Sequence, residues 1–556
     1  LEDEMTTANL KTPLEMLAHW EHKNPDKVYF EQPLNGQWTE YTWGRVADEV
    51  RRVAAYIDAQ NFPKGSHIAL MSKNCAQWII TDLAIWMAGH VSIPLYPNLT
   101  ADVVAQIIEH SESKMVFAGK LDNFHSMKAG LPTDLPTVSF PYDIPGTEEY
   151  TKWDEVLKTE PLKDAPKRDL EEVATIIYTS GTTGAPKGVV HKFKSFAFAG
   201  TNGVEALHAT EDERFFSYLP LSHVAERLIV ETASLYSGGK IYFAESLDTF
   251  PANLKYASPT IFLAVPRIWT KFQLGILGKL PQKKLNLLLK LPIISGLIKN
   301  KVLTGLGLQS CRLAFTGAAP IPVSSLEWFK KLGLEILEAY GMTENFAYSH
   351  ISLPGHVTFG RVGQPLPHVD VQFADDEEIQ VKSIATMVGY YKETEKTAET
   401  MNGDFLKTGD QGNAANDGNL KITGRVKDLF KTSKGKYVAP SPIELKLSKD
   451  NNIEQVCVVG VGLPQPIALT VLSDLGKGLD QTDLDNTFET LLKSINPTLD
   501  HHERLTTIVV MGEDWTIENK ILTPTMKIKR SVLENKYKEN FEVWYEASAP
   551  VVWAKR

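Results

Sequence analysis

The segment YTSGTTGAPKGVV, Tyr178–Val190, holds what a phosphate group needs from a protein. Gly181 and Gly184 let backbone N–H groups turn toward an anion at close range. Thr179, Ser180, Thr182 and Thr183 add hydroxyl donors, and Lys187 adds a mobile point charge. The order is not that of G-x-x-x-x-G-K-[ST], because Lys187 precedes Gly188 and a valine follows. EEVATIIY reads as a strand ending at Tyr178, and Val189-Val190 are β-branched, so the pattern is strand–loop–strand with no helix start. By composition alone, a surface turn rich in serine, threonine and glycine accounts for the stretch equally well.

Other segments supply what composition cannot. GAAP (Gly317–Pro320), EAYGMTEN (Glu338–Asn345), KTGDQG (Lys407–Gly412), GRVKDLFKTSKGKYVAPSPIE from Gly424 and LTPTMKIKR from Leu522 follow in that order. With TSGTTGAPKGV they resemble the signature segments of the adenylate-forming superfamily: acyl-CoA synthetases, peptide-synthetase adenylation domains and firefly luciferases. Any one of them is a weak signal. Their shared order over most of the chain is what identifies the resemblance.

The resemblance implies attack of a carboxylate on the α-phosphate of ATP. Both groups are anions, so catalysis needs neutralisation and alignment more than proton abstraction. It implies Thr182, Thr183 and Lys187 at the β/γ-phosphates that leave as pyrophosphate. Glu344 is implied as the Mg²⁺ ligand, a hard carboxylate shared with phosphate oxygens. The adenine side falls to Gly317, Ala318 and Ala319 and to Glu338, Ala339, Tyr340, Gly341, Met342 and Thr343, with the Tyr340 ring placed to stack. Asp410 accepts from the two ribose hydroxyls, joined by Arg425. Lys527 is implied between the substrate carboxylate and the α-phosphate. The crowd of basic residues around it reads otherwise as a solvated face, and in a strand Lys527 and Lys529 would point the same way.

Lys527 is far in sequence from the phosphate loop. The family resolves this by rotating its C-terminal domain between half-reactions about a hinge, here Lys427 and Asp428, so that coenzyme A can enter. Gly435 would then line the pantetheine path, where glycine permits a thin wall.

Which acid is activated is carried by fewer residues. LPLSHVAERL from Leu219 and VPRIW at Val265–Trp269 resemble the long-chain acyl-CoA synthetase branch, with His223 implied near the acyl carboxylate. Arg267 and Trp269 read equally well as scaffold beside that pocket. Lys271 to Lys301 contains seven lysines, many leucines and no acid in a chain of net charge -10. That pattern is either a helix with a solvated lysine face or a peripheral contact with an anionic membrane. Two other functions share the scaffold. A fatty acyl-AMP ligase would hand the acyl group to a carrier protein, and its blocking insertion before the hinge is not evident here. A non-catalytic nucleotide- or lipid-binding module would be expected to lack Glu344 or Lys527.

These residues need a scaffold, and the chain patterns one. Helical spacing in RVADEVRRVAAYIDAQ is followed by the strand-like HIALMS; ADVVAQIIEHS precedes KMVFAG, and VSSLEWFKKLG precedes LEILEAYG. This alternation predicts an α/β fold, a large domain over 1–425 of helix-covered, mostly parallel sheets. About 360–425 is predicted as a β-rich subdomain, and 426–556 as a small mobile α+β domain. Length, at 556 residues, requires more than one core. The acidic balance disfavours nucleic acid as a partner. Three scattered cysteines, Cys75, Cys311 and Cys457, form no disulfide framework and suit a reducing compartment, hence a cytoplasmic protein, with the basic stretch at the inner face of a membrane. No secretory leader is expected from LEDEMTTANL, which lacks a basic start and an apolar core. The most apolar window, from Trp78, contains Asp82 and His90 and predicts a buried helix followed by a strand.

Overall fold

A computed structural model describes residues 10–164, 166–180 and 186–554. The chain divides into two compact units. One comprises Leu1–Ala319, Ser324–Val371 and Val381–Leu406; the other Pro320–Val323, Gln372–Gln380 and Lys407–Arg556.

Among its described residues the first unit holds two large sheets. In one, Val173–Ser180, Val91–Leu95, His67–Met71, Met115–Ala118, Thr137–Ser139 and Thr151–Lys152 run side by side and parallel. Its far edge is antiparallel, made by Pro186–Lys192 and then Gly389–Tyr390. In the other sheet the parallel centre runs Ile336–Tyr340, Leu313–Thr316, Ile261–Ala264, Arg214–Ser217, Lys240–Phe243 and Val28–Leu34. Strands buried on both faces lose the alternation of polar and apolar residues, as in the fully buried VSIPL and MVFA.

The apolar window resolves into the helix Ala76–Met87, with every residue buried, and the strand Val91–Leu95. Asp82 is tolerated there because Arg227, equally buried, forms an ion pair with it. The helix Trp43–Asp58 is amphipathic as its spacing requires: Thr42 caps its N-terminus, and Val46, Val50, Val53 and Ile57 face inward.

The second unit pairs Asp410 with Arg425 in antiparallel register between Phe405–Ala414 and Leu420–Arg425. It continues into a four-stranded sheet of Ile453–Val459, Ile467–Leu472, Ile508–Val510 and Val551–Trp553. Alternation along the first of these strands sends Val458 to one core with Phe488 and Leu492, and Cys457 and Val459 to another with Leu533 and Phe541. Helices on both faces thus cover one sheet, in a mixed α+β arrangement. No helix among the described residues is long and apolar enough to cross a membrane.

Candidate active site

The segment around the opening loop is a hairpin. Thr179 stands opposite Lys187 and Tyr178 opposite Gly188 in the antiparallel pair. Gly188 is required by space, because a Cβ there would lie 2.6 Å from Ile176 Cγ2. The tip, Gly181, Thr182, Thr183 and Gly184, lies outside the described residues. What the ladder settles is the lysine. Lys187 Nζ sits 5.6 Å from the centre of the Tyr390 ring. Burial, then the neighbouring Lys396, lowers its ammonium to about 8.

Tyr390 connects Lys187 to Glu344. Its hydroxyl donates to Glu344 Oε1 at 2.7 Å. Glu344 lies in a single helical turn, Thr343–Asn345, whose carbonyls are held from two sides. His191 Nε2 donates to the Thr343 carbonyl at 2.7 Å, and Met387 N to that of Glu344 at 2.8 Å. Buried His191 has its imidazole pushed down to about 4 by desolvation, so it holds this turn as a neutral ring. Tyr390, His191 and Met387 escape sequence inspection. Tyr390 is 46 residues from Glu344 and reaches it through a two-residue edge strand, with no local period to announce it.

The segments expected on the adenine side meet where two parallel strands end, with Thr316 beside Glu338. Gly317 faces Ala339 so closely that a Cβ would stand 3.2 Å from its carbonyl oxygen. Ala318 takes a left-handed φ of 67°, and a Cβ on Gly341 would meet Ala347 Cα at 2.7 Å. Ala319 follows and is exposed. Met342 N donates to Asn345 Oδ1, closing the loop before Glu344. The half-buried Tyr340 ring lies 6.0 Å from His350, at an angle rather than stacked.

Glu338 is buried, accepts a hydrogen bond from Gly360 N at 3.0 Å, and has its carboxyl raised by desolvation from 4.5 to about 7. A raised value means that the protonated form favours the fold, so stability is lost as pH rises through about 7. Glu338→Gln should therefore be more stable than the parent by about 2 kcal/mol at pH 8, a gap that narrows toward pH 4.5. Thermal melts at the two pH values check this.

In the second unit Arg425 Nε donates to Asp410 Oδ1 at 2.7 Å, across the ladder that sets them opposite. Gly409, within the strand Phe405–Ala414, takes a left-handed φ of 72° just before Asp410. Lys427 and Asp428 lie in the short helical turn Val426–Asp428. Lys427 is exposed, and Asp428 sits 3.7 Å from Arg530, which also binds Glu444 at 2.5 Å. Gly435, at φ 78°, closes a turn on the Thr432 carbonyl.

Lys527 is exposed, and its segment departs from the strand considered for it. Thr523 N donates to the Lys527 carbonyl at 2.8 Å, Lys527 N returns to Thr523 Oγ1 at 3.0 Å, and Leu522 bridges Ile528. Pro524 cannot donate to a ladder and Met526 has φ 63°, so the chain folds back as a tight turn. Strand alternation therefore does not relate Lys527 to Lys529.

His223 caps the helix Val224–Glu226, its Nδ1 accepting from Ala225 N at 3.2 Å. Trp269 is fully buried against Phe262 and Phe329, a scaffold role.

These features have counterparts elsewhere. Residues 17–391 match the family model described as AMP-binding enzyme, and 427–549 match that of the AMP-binding enzyme C-terminal domain. The long-chain-fatty-acid–CoA ligase FadD15 of Mycobacterium tuberculosis is 28% identical over 95% of this chain and 96% of its own. Long-chain-fatty-acid–CoA ligase 5 of Rattus norvegicus is 30% identical over 95% and 86%. Among solved structures, the adenylation domain of a carboxylate reductase from Mycobacterium chelonae superposes with a TM-score of 0.81 at 21% identity, over 97% of this chain and 92% of that one. An o-succinylbenzoate CoA synthetase from Bacillus subtilis, in complex with its acyl-adenylate intermediate, does so with 0.74 at 20%, over 94% and 98%. The two structures speak to the fold, and the family models cover most of the sequence: the chain belongs to the AMP-binding enzyme family.

Proposed function

We propose that this protein is an acid–thiol ligase that activates a medium- to long-chain fatty acid in two half-reactions. The acid's carboxylate attacks the α-phosphorus of ATP, giving acyl-AMP and pyrophosphate; the thiol of coenzyme A then displaces AMP to give acyl-CoA. The observation that carries this reading is the union of Lys187, Tyr390 and Glu344 in a chain whose relatives over nearly its whole length are long-chain-fatty-acid–CoA ligases.

Each residue has a task that its surroundings suit. Lys187, with Thr179, Ser180 and the loop Gly181–Gly184, holds the phosphates that depart. Glu344 fits a Mg²⁺ site: Tyr390 orients one carboxylate oxygen, and Mg²⁺ takes few protein ligands when phosphates and water supply the rest. When bound, the ion neutralises charge on the phosphates. Gly317–Ala319 and Glu338–Thr343 receive the adenine, and the Asp410–Arg425 pair receives the ribose hydroxyls. His223 lies toward the acyl carboxylate, Gly435 along the pantetheine path, and Lys427 and Asp428 at the hinge. Lys527 supplies the cation for the reacting carboxylate.

Pyrophosphate release across acids of increasing chain length, with and without coenzyme A, tests the proposal. Release that peaks with a fatty acid, and acyl-CoA formation when coenzyme A is added, are expected. Release with no acyl-CoA would mark an acyl-AMP ligase serving a carrier protein, and no release with any acid would mark a binding module.

The protein is further proposed to be cytoplasmic and to touch anionic membranes from which fatty acids partition. Support comes from the helices Pro266–Lys279, Gln282–Leu289 and Pro292–Leu306. Ile293 is 83% exposed, Leu297 67% and Leu287 62%, amid exposed Lys279, Lys283, Lys284 and Lys290. Apolar side chains that stand in water beside a basic surface suit the interface of an anionic bilayer. Reversing Lys283, Lys284 and Lys290 to glutamate should lower the partition onto phosphatidylglycerol vesicles, read by cosedimentation, about a hundredfold or more, at about 1 kcal/mol per lysine. Unchanged cosedimentation would remove this surface from the proposal.

A further inference from the structure

Asn74 joins the two large sheets of the first unit at the carboxyl ends of their parallel strands. It is buried and follows the strand His67–Met71 of one sheet. Its carboxamide reaches the loop after Arg214–Ser217 of the other, with Ser217 143 residues away in sequence. Nδ2 stands 2.6 Å from the Leu219 carbonyl oxygen, 2.8 Å from Ser217 Oγ and 3.2 Å from Glu226 Oε1. Oδ1 accepts from Leu221 N at 3.1 Å. Donation to Leu219 and acceptance from Leu221 together fix which way round the amide lies. A carboxamide presents a donor and an acceptor side by side, as a peptide unit does, and so can close a turn of backbone.

The segment gripped in this way carries His223. Glu226 Oε1 closes it from within, accepting from Ser217 Oγ and Tyr218 N at 3.0 Å each. His223 N donates to the Pro220 carbonyl at 2.8 Å, so the turn held at Leu219 and Leu221 leads directly into the histidine. Leu221, Ser222 and Val224 are buried, whereas His223 is only half-buried. Ala225 N donates to His223 Nδ1, which puts the proton of the neutral ring on Nε2, the nitrogen from which a carboxylate can accept. A buried carboxamide is costly unless its hydrogen bonds are made. The four contacts of Asn74 all fall within 217–226, so what they stabilise is the shape of that loop.

We propose, building on the reading of His223 as the residue toward the acyl carboxylate, that Asn74 is a positioning residue for the fatty acid. It holds the 217–226 loop so that His223 Nε2 meets the acid. ATP, held by other segments, gains nothing from it.

The test is pyrophosphate release by the full chain with dodecanoate as the acid, in Asn74→Ala, His223→Ala and the double variant. Equilibrium binding of an ATP analogue with a methylene between α- and β-phosphorus runs beside it. Asn74→Ala should raise the KM for dodecanoate about tenfold, as loss of the hydrogen bonds that set one group does, and leave the KM for ATP and the affinity for the analogue unchanged. His223→Ala should raise the KM for dodecanoate likewise. The double variant should be no worse than His223→Ala alone, because a residue that acts through His223 then has nothing to position. A merely structural asparagine would move both substrates together, and its loss would multiply with that of His223. Retained analogue binding shows that a variant is folded. Should Asn74→Ala lose it, Asn74→Asp keeps the shape and the acceptor for Leu221 N, removes the donors, and should give the same selective rise. An unchanged KM for dodecanoate in the Asn74 variants, or losses that multiply, would overturn the role of Asn74 and leave that of His223 standing. An unchanged KM in His223→Ala would overturn the placement of His223 itself.

Discussion

Lys527→Ala should lower acid-dependent pyrophosphate release about a thousandfold, while affinity for the ATP analogue changes by less than a few-fold. In the first half-reaction two anions must meet, and a cation placed between them acts on charge that develops at the transition state. Its loss falls on kcat more than on KM. The exposed side chain sits on a turn closed by its own backbone hydrogen bonds, with Thr523 Oγ1 as a further acceptor, and alanine keeps those backbone bonds while removing the charge. Coenzyme A attack on a chemically prepared acyl-adenylate separates the steps. It should proceed within a few-fold of the parent rate, because that step begins after the two anions have joined. Pyrophosphate release at the parent rate would remove Lys527 from the reaction and leave ATP binding to be explained by the other groups.

Arg227→Met should cost about 3–5 kcal/mol of folding stability, the largest loss expected of any substitution described above. Arg227 is fully buried between Asp82, which it pairs with directly, and Glu231, 3.1 Å away. It donates to Thr175 Oγ1 at 2.8 Å, and its guanidinium lies 5.1 Å from the Phe196 ring and 5.4 Å from that of Trp78. Methionine fills much of the space but strands two buried carboxylates. Burial already holds both acids above the usual carboxylate range, Glu231 at about 8. Without the cation they rise further, so stability falls as pH increases and the gap from the parent is wider at pH 8 than at pH 5. Urea unfolding at the two pH values measures it, and adding Asp82→Asn and Glu231→Gln to Arg227→Met should recover most of the loss. A gap that does not change with pH would mean that lost packing, not stranded charge, is the cause.

Arg227 belongs to the SHVAERL stretch that marks the acyl-CoA synthetase branch, yet nothing in its spacing shows that the arginine lies in the core. Its ion-pair partner is 145 residues away, and a partner so distant leaves no period in the sequence. The same holds for Tyr390, carried to Lys187 by a two-residue strand. What sequence does show is local: β-branched Val189-Val190 predict a strand after the loop, and the inward face of Trp43–Asp58 follows from helical spacing. Motif resemblance names Asp410 and Arg425 together, and it is the strand register that sets them opposite each other. The turn at Lys527 escapes alternation because Pro524 and left-handed Met526 break the pattern that alternation assumes.

Lys187 owes its place to ladders on both sides, Val173–Ser180 on one and Gly389–Tyr390 on the other, rather than to the loop before it. This sets different tolerances for editing the gene. A residue inserted between 180 and 186 lengthens the loop and leaves the register of Lys187 unchanged. A residue inserted between 187 and 190 turns the lysine to the other face of the sheet and away from Tyr390. Length variation among natural or engineered forms of this enzyme should therefore collect on one side of the lysine and be purged from the other.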